Sequence, residues 1–338
     1  MAATIDDIAR FAGVGRSTVC RALRNETRIS TETRERILKI AEELEYRPNR
    51  IALSLSLGKS RLVGVLVTPT AVPVFNTLIE PIEKGLRSAG YSILFCSSSG
   101  DSETELATVD QMIDNHVDGV IIHPRISKPD PEIYRKLIKS GAKVVVIDRF
   151  VEGLDTPQII VNDYQASRLA TEYLISMGHR KIGDLSIPIS EYAGRMRLRG
   201  YRDALNAAGI PDNDSYVVEV QLGHEDGATA MAELLQVKDR PTAVIARHDY
   251  VAIGAMRAIR EAGLRIPEDI SIMGAGDCWY DDMLCVPLTS LHYPYDELAR
   301  SAIDVLLPML GGESVESTVR VLDVSLVERS SCAPPHEM

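Results

Sequence analysis

The chain has 338 residues, of which 45% are apolar and 25% charged, a balance that excludes general disorder and suggests two or three structural units. No apolar run reaches the ~18 residues of a membrane helix. Residues 1–10 lack the apolar stretch of a secretory signal and include Asp6 and Asp7, and five scattered cysteines without a CxxC pair fit a reducing cytoplasm and argue against structural zinc.

The net charge of −11 is divided unevenly. Residues 1–61 hold 12 Lys and Arg against 8 Asp and Glu, a local +4, and the remainder holds 25 against 40, or −15. A basic head on an acidic body points to an anionic partner for the head.

Residues 4–46 read as all-helical. Thr4 with Asp7 three residues on has the spacing of a capping box, and Ile5, Ile8 and Ala9 follow at helical intervals. Residues 12–15 (AGVG) break this helix. A second runs from about Arg16 to Arg24 with Val19, Ala22 and Leu23 inward. A third starts near Ser30, carries Ile37, Ile40, Ala41 and Leu44, and ends before Pro48. Residues 47–61 read as a linker with a short conditional helix inside.

From Leu62 the pattern changes to apolar runs alternating with amphipathic stretches. The runs are 62–67, 91–96, 117–122, 143–147, 181–185, 216–220, 242–246, 270–274 and 288–292. Gly90, Gly141 and Gly178 stop helices just before a strand, since glycine accepts the left-handed conformation at a helix end. Such alternation predicts parallel sheets covered by helices on both faces. The length suits two similar α/β lobes better than one core.

Two short helices about a glycine-containing turn have helix-turn-helix spacing. The outer face of the second carries Arg16, Ser17, Cys20, Arg21 and Arg24. Arginine can fork onto guanine O6 and N7 in a major groove, and serine adapts to several bases. A solvated basic helix is the alternative that this pattern alone leaves open.

Three strings sharpen the choice: residues 4–21 (TIDDIARFAGVGRSTVCR), 29–34 (ISTETR) and 44–49 (LEYRPN). They resemble the head of the lactose-repressor (LacI/GalR) family of bacterial transcription regulators, and the resemblance continues through the body. It implies that Arg16, Ser17 and Arg21 read bases, that Thr4, Thr18, Asn25, Tyr46 and Asn49 belong to the DNA-binding surface, and that Leu55 in a hinge helix wedges into the minor groove. Read without it, Leu53, Leu55 and Leu57 would be a strand or linker packed on the body. Gly15 stands where the family usually has a capping serine, and Cys20 where a second serine is common. Cys20 is read as a serine substitute, with a redox-sensitive thiol as the alternative.

The resemblance gives the body the two-lobed architecture of a periplasmic sugar-binding protein, with a cleft that closes on a small polar effector. Independently, His123, Asp148, His248 and Asp277 each follow an expected strand, where open α/β folds bind ligands. Residues 195–201 (RMRLRGY) resemble the family element that puts a ligand-gripping arginine at Arg197. Phe75 and Tyr293 match cleft-lining positions, and Asp148 matches the aspartate of residues 145–149 (VVIDR). Two departures stand out: Gly276 replaces a common sugar-binding aspartate, and His248 replaces an asparagine. They leave a sugar acid and a neutral sugar as alternative effectors.

The expected fold is therefore an all-α head (1–47), a hinge (48–61) and a core (62–338). In the core, lobe 1 takes about 62–161 and 292–320, and lobe 2 about 162–291 and 321–330. No complete Gly-rich phosphate loop, nucleophile elbow or metal-ligand spacing occurs, so neither an enzyme, a cofactor nor a metal is expected. The expected protein is a cytoplasmic homodimer on a palindromic DNA operator, controlled by a small molecule and without a membrane partner. The rival expectation is a solute-binding protein with no DNA role. The tail after Val327 has no leucine heptads, which argues against a coiled-coil tetramer.

Overall fold

The structure, a computed structural model, describes residues 3–23, 28–46, 58–67, 75–98, 101–124, 129–221 and 223–336. It divides into two compact units, Met1–Ser60 and Arg61–Met338.

The first unit contains α1 (Ile5–Ala12), α2 (Arg16–Leu23) and α3 (Thr31–Glu43). Thr4 caps α1 in a reciprocal box: its hydroxyl accepts from the Asp7 N–H at 3.3 Å, and the Asp7 carboxylate accepts from the Thr4 N–H at 3.0 Å. Gly13 ends the helix at φ 64°, a conformation that costs a residue with a Cβ. Ser30 caps α3 through the Thr33 N–H. Ile8, Ala12, Val19, Ala22, Ile37 and Ala41 form the core, with Leu44 and Tyr46 packed against it.

The second unit holds two six-stranded sheets with helices on both faces. One runs in the order β11-β5-β4-β3-β1-β2 and the other β12-β10-β9-β8-β6-β7. In lobe 1 these strands are β1 (Leu62–Val67), β2 (Ser92–Ser97), β3 (Gly119–Ile122), β4 (Lys143–Asp148), β5 (Gln158–Val161) and β11 (Val319–Leu322). Lobe 2 holds β6 (Ile182–Ser186), β7 (Val217–Glu219), β8 (Ala243–Ala246), β9 (Ser271–Ala275), β10 (Thr289–His292) and β12 (Ser325–Val327). Every pairing is parallel except β12 with β10. Val65 lies between Phe95 and Ile121, a register that buries β1 in the sheet centre.

The helices are α4 (Phe75–Ser88), α5 (Ser102–Asp114), α6 (Pro131–Lys139), α7 (Asp163–Ser176), α8 (Tyr192–Ala207), α9 (His224–Leu235), α10 (Asp249–Glu261) and α11 (Tyr295–Gly311). Gly90, Gly141 and Gly178 have φ of 79°, 96° and 101°, as their reading as stop signals requires.

The nine apolar runs all contain strands, and three further strands were missed. β5 is only four residues, β12 only three, and β11 is an edge strand whose first three residues are exposed. The chain passes between the sheets at Asn162, at Tyr293–Pro294 and at residues 323–324. The last crossing falls after Leu322, because β11 pairs with β5 through Leu322 and Val161. The expected break at 320/321 is therefore two residues early. The third segment of lobe 1 is α11, whose Leu298, Ala302 and Leu306 join Val63 and Val65 in that lobe's core. Asn162 Nδ2 donates to Asp323 Oδ1 at 3.1 Å and so ties two crossings together. Beyond β12, Ser331 and Cys332 are buried, and the Ala333 carbonyl accepts from His179 and Ser271.

Candidate DNA-reading face and effector cleft

In the head, helical periodicity sorts α2 into two faces. Val19 and Ala22 are buried, whereas Arg16, Ser17 and Arg21 are exposed and Thr18 and Cys20 half-buried. Arg16 lies 3.5 Å from Asp6, with both side chains about two-thirds exposed, a pair that adds little stability. The helix starts without a capping serine: the Gly15 carbonyl accepts from the Thr18 and Val19 N–H groups. Thr4 is exposed and Tyr46 half-buried. Arg24, Asn25, Asn49 and Leu55 lie outside the described residues.

In the body, the sheet order β2-β1-β3-β4-β5 reverses direction at β1 and β3, and its counterpart in lobe 2 does so at β6 and β8. Ligands bind open α/β sheets beyond the carboxyl ends of strands near such reversals. His123 follows β3, Asp148 ends β4, Glu191 follows β6 and His248 follows β8.

A narrow cavity of about 20 Å³ is lined by Asp148, Arg149, Phe150, Asp163, Glu191 and Tyr192, among others. Asp148 has φ 67°, an unusual conformation for a residue with a Cβ, and it is held by a hydrogen bond from His123 Nε2 at 2.9 Å. Burial pushes the Asp148 carboxyl up, but that hydrogen bond and the positive charges of Arg149 and Arg197 outweigh it and hold the group at about 2. Burial, with Arg149, lowers the His123 imidazole despite the opposing hydrogen bond and charge of Asp148. At 2% exposure, His123 is buried behind Asp148.

Arg197 donates Nε to Asp163 at 2.6 Å and Nη1 to the Arg247 carbonyl at 3.0 Å. Its guanidinium carbon lies 5.5 Å from the Tyr293 ring centroid. Close packing of α8 on α7 makes this reach possible: a Cβ at Gly200 would come within 2.3 Å of the Tyr164 carbonyl. His248 is half-buried; its carbonyl accepts from the Ala252 N–H at 2.9 Å, while its imidazole makes no hydrogen bond among the described residues. Burial, reinforced by Arg197, lowers its imidazole to about 4.

Asp277 stands apart from this group. Its carboxylate is engaged by Arg329 at 2.7 Å and His292 at 2.9 Å, on a second cavity lined also by Gly276, Trp279, Tyr293 and Tyr295. Gly276 has φ 141°, and a Cβ there would come 2.6 Å from Asp249 Oδ2. Asp249 thus crowds out any side chain at 276, which accounts for the missing aspartate. Asp249 in turn accepts from Ser290 Oγ at 2.6 Å and the Cys278 N–H at 3.1 Å. Phe75 opens α4.

Sequence reasoning missed Arg149, Phe150, Asp163, Glu191 and Tyr192. Asp163 was hidden because β5 before it was not recognised. Arg149 stood in the quoted VVIDR string, and its position one residue past a strand end was a usable signal. Among the described residues no group of three or more His, Cys, Asp or Glu is placed to hold a metal, and no helix is long and apolar enough to cross a membrane.

A helix-turn-helix head and a two-lobed, parallel-sheet body with a polar cleft define the class of ligand-responsive DNA-binding regulators. Comparison with known proteins makes this specific. Residues 4–49 match the model of bacterial regulatory proteins of the lacI family, and residues 171–332 match a periplasmic binding protein-like domain. The chain is 32% identical over 332 residues to the HTH-type transcriptional repressor PurR of Vibrio atlanticus (strain LGP32), covering 97% of this chain and 98% of the relative. It is 31% identical over 330 residues to the ribose operon repressor of Escherichia coli (strain K12), covering 97% and 99%. The solved Lac repressor dimer bound to operator and the anti-inducer ONPF superimposes with a TM-score of 0.88 at 28% identity, covering 98% of this chain and all of that one. The chain belongs to the LacI family of bacterial regulatory proteins. It is a DNA-binding transcriptional regulator, and the rival reading of a solute-binding protein without a DNA role falls, because the relatives match head and body together.

Proposed function

We propose that this regulator is a cytoplasmic homodimeric repressor whose affinity for a palindromic operator is set by a small metabolite, of sugar or sugar-derivative type, held between the lobes. Arg16, Ser17 and Arg21 read base edges, and Thr4, Thr18, Asn25, Tyr46, Asn49 and Leu55 complete the DNA surface. Asp148, Arg197 and His248 grip the effector, Tyr293 and Phe75 line its cleft, and His123 positions Asp148. Asp277 braces the second cavity through Arg329 and His292. The protein needs no cofactor and catalyses no reaction in this role.

The observation that carries the reading is that Asp148, hydrogen-bonded to His123, and Asp163, paired with Arg197, line one cavity from both sides of a lobe crossing. Paired, oriented polar groups in a concave site are what recognition of a small polar molecule requires. Effector and DNA preferences are then reciprocal by linkage.

The test is a thermal-shift screen of sugars, sugar derivatives and nucleobases against the wild type and Arg197→Ala. A ligand at ~100 times its Kd adds about 2.7 kcal/mol of stability. The expected hit disappears in Arg197→Ala and changes operator affinity in the wild type; a hit that leaves operator affinity untouched would sink the regulatory role of the cleft. Operator binding should also weaken steeply with salt, with a log–log slope of about −0.9 per phosphate contact.

A further inference from the structure

Glu191 occupies the N-cap position of α8 and is 5% exposed, yet its carboxylate caps no helix N–H and makes no hydrogen bond among the described residues. The other acids of the cavity are engaged: Asp148 by His123, and Asp163 by Arg197. Arg149 donates to the Pro124 carbonyl at 2.7 Å. The charges of Arg149 and Arg197 act on Glu191 from nearby, but burial outweighs them and raises its carboxyl to about 7. Beside it stand Phe150 and Tyr192, with ring centroids 5.4 Å apart and planes tilted by 49°. Both rings line the same cavity, Phe150 after β4 of lobe 1 and Tyr192 after β6 of lobe 2.

A buried carboxyl without a partner is unfavourable, and whatever supplies its missing donor is bound the more tightly. A hydroxyl supplies a neutral hydrogen bond, whereas an ammonium supplies a charge-assisted one of roughly twice the strength. Aromatic rings on the wall of the same cavity favour a cation further and also suit the hydrocarbon face of a ring. An anionic ligand would meet three carboxyl groups on the cavity wall, Asp148, Asp163 and Glu191, against the guanidinium of Arg149 there and that of Arg197 behind Asp163.

Resting on the reading of this cleft as the effector site, we propose that the effector is a small polyhydroxylated molecule carrying a protonated amine, with Glu191 receiving the ammonium beside the contacting Phe150–Tyr192 pair. Of the effectors that the departures from the family pattern leave open, the sugar acid is thereby excluded, and the neutral sugar becomes the weaker relative of the true ligand. Glu191 is the residue that sets this preference.

The experiment uses matched sets on one skeleton: glucosamine, glucose and glucuronate, with the corresponding galactose and mannose sets. Each is titrated calorimetrically into the full-length wild type, Glu191→Gln and Glu191→Arg. In at least one set the amino sugar is expected to bind the wild type ten-fold or more tighter than its neutral parent. Glu191→Gln should erase that gap while still binding the neutral parent, which also reports that the variant is folded. Glu191→Arg should turn the preference toward the uronate. A wild type that prefers a neutral or acidic member, or an amine preference that survives in Glu191→Gln, would overturn the assignment of Glu191. Failure of every member to bind any of the three proteins would instead overturn the underlying reading of the cleft as a sugar-type effector site.

Discussion

The head and the cleft use charged residues in opposite ways. On α2, Arg16, Ser17 and Arg21 are exposed, and the Arg16–Asp6 pair is two-thirds exposed on both sides. In the body, Arg197 and Asp163 are 15% and 10% exposed, and behind them Arg247 and Asp184 are 2% and 0% exposed. An exposed face of the first kind can change its residues without disturbing the fold, so the DNA specificity proposed to rest on it is free to vary. In the body Arg197 and Asp163, like Arg247 and Asp184, are each other's counter-ions, so ligand chemistry and lobe stability are bound together. This coupling suits a switch: a ligand that alters the balance of charges in the cleft also alters the free energy of the lobe arrangement that holds them.

The sharpest break in that comparison is at Arg247. Its Nε donates to Asp184 at 2.6 Å and its Nη1 to Ser167 at 2.7 Å, all enclosed. Arg247→Met leaves the Asp184 carboxylate buried and unpaired, and urea unfolding should show a loss of about 3–5 kcal/mol. The double replacement Arg247→Met with Asp184→Leu should recover much of it, because no lone charge is left inside.

Glu191 comes next. Its folded carboxyl is raised to about 7, above the ordinary ~4.3. The folded state then binds more protons than the unfolded state between those values, so this group's contribution to stability falls as pH rises through that window. His248 is lowered to about 4, from an ordinary value of ~6.5, and contributes in the opposite sense: stability is lost as pH falls from about 6.5. Glu191→Gln removes the first contribution. Relative to wild type it should gain roughly 3 kcal/mol between pH 4 and 8, read from denaturation midpoints across pH. His248→Asn should lose stability relative to wild type as pH rises over the same range.

Arg21→Ala tests the other side of the comparison. It should cost about 1–3 kcal/mol on the best operator and relax the base preference at one position, while leaving the thermal midpoint of the protein unchanged. Competition binding against single-base operator variants measures the first, and calorimetry the second. A stability loss as large as the binding loss would make Arg21 part of the head's architecture.

The same contrast explains what the sequence made legible. The head could be read because its order is local: a cap three residues from its partner, an apolar stripe at helical spacing, a glycine at a helix end. The strands of the body were read wherever an apolar run of five or six residues marked them, and lost at β5 and β12, which carry three and two apolar residues, and at β11, whose run Arg320 interrupts. Asp148 and Arg197 were found because strand ends and a family-like string marked them. Glu191 and Asp163 were not, since nothing near them in sequence tells that a carboxyl from the end of β6 and another from the start of α7 share a cavity. Charge compensation across 34 residues, as between Asp163 and Arg197, leaves no periodic trace.

Thr4 lies between the two regimes and offers the finest test. It is exposed like the reading residues, yet it is committed to structure: its hydroxyl donates to Asp7 Oδ2 at 2.7 Å and accepts from the Asp7 N–H. Thr4→Ala should cost about 1 kcal/mol of head stability, seen as faster hydrogen exchange of the α1 amides, and Thr4→Ser should restore protection. These hydrogen bonds hold the Asp7 carboxyl below its ordinary value, so the wild-type cap should weaken as pH falls into the carboxylate range, and Thr4→Ala should lack that dependence. If Thr4 also meets a phosphate, Thr4→Ala will lower the salt slope of operator binding by about one contact, equally for good and poor operators. A loss of protection with an unchanged salt slope would assign Thr4 to the fold alone and place the boundary between reading face and scaffold at the first turn of α1.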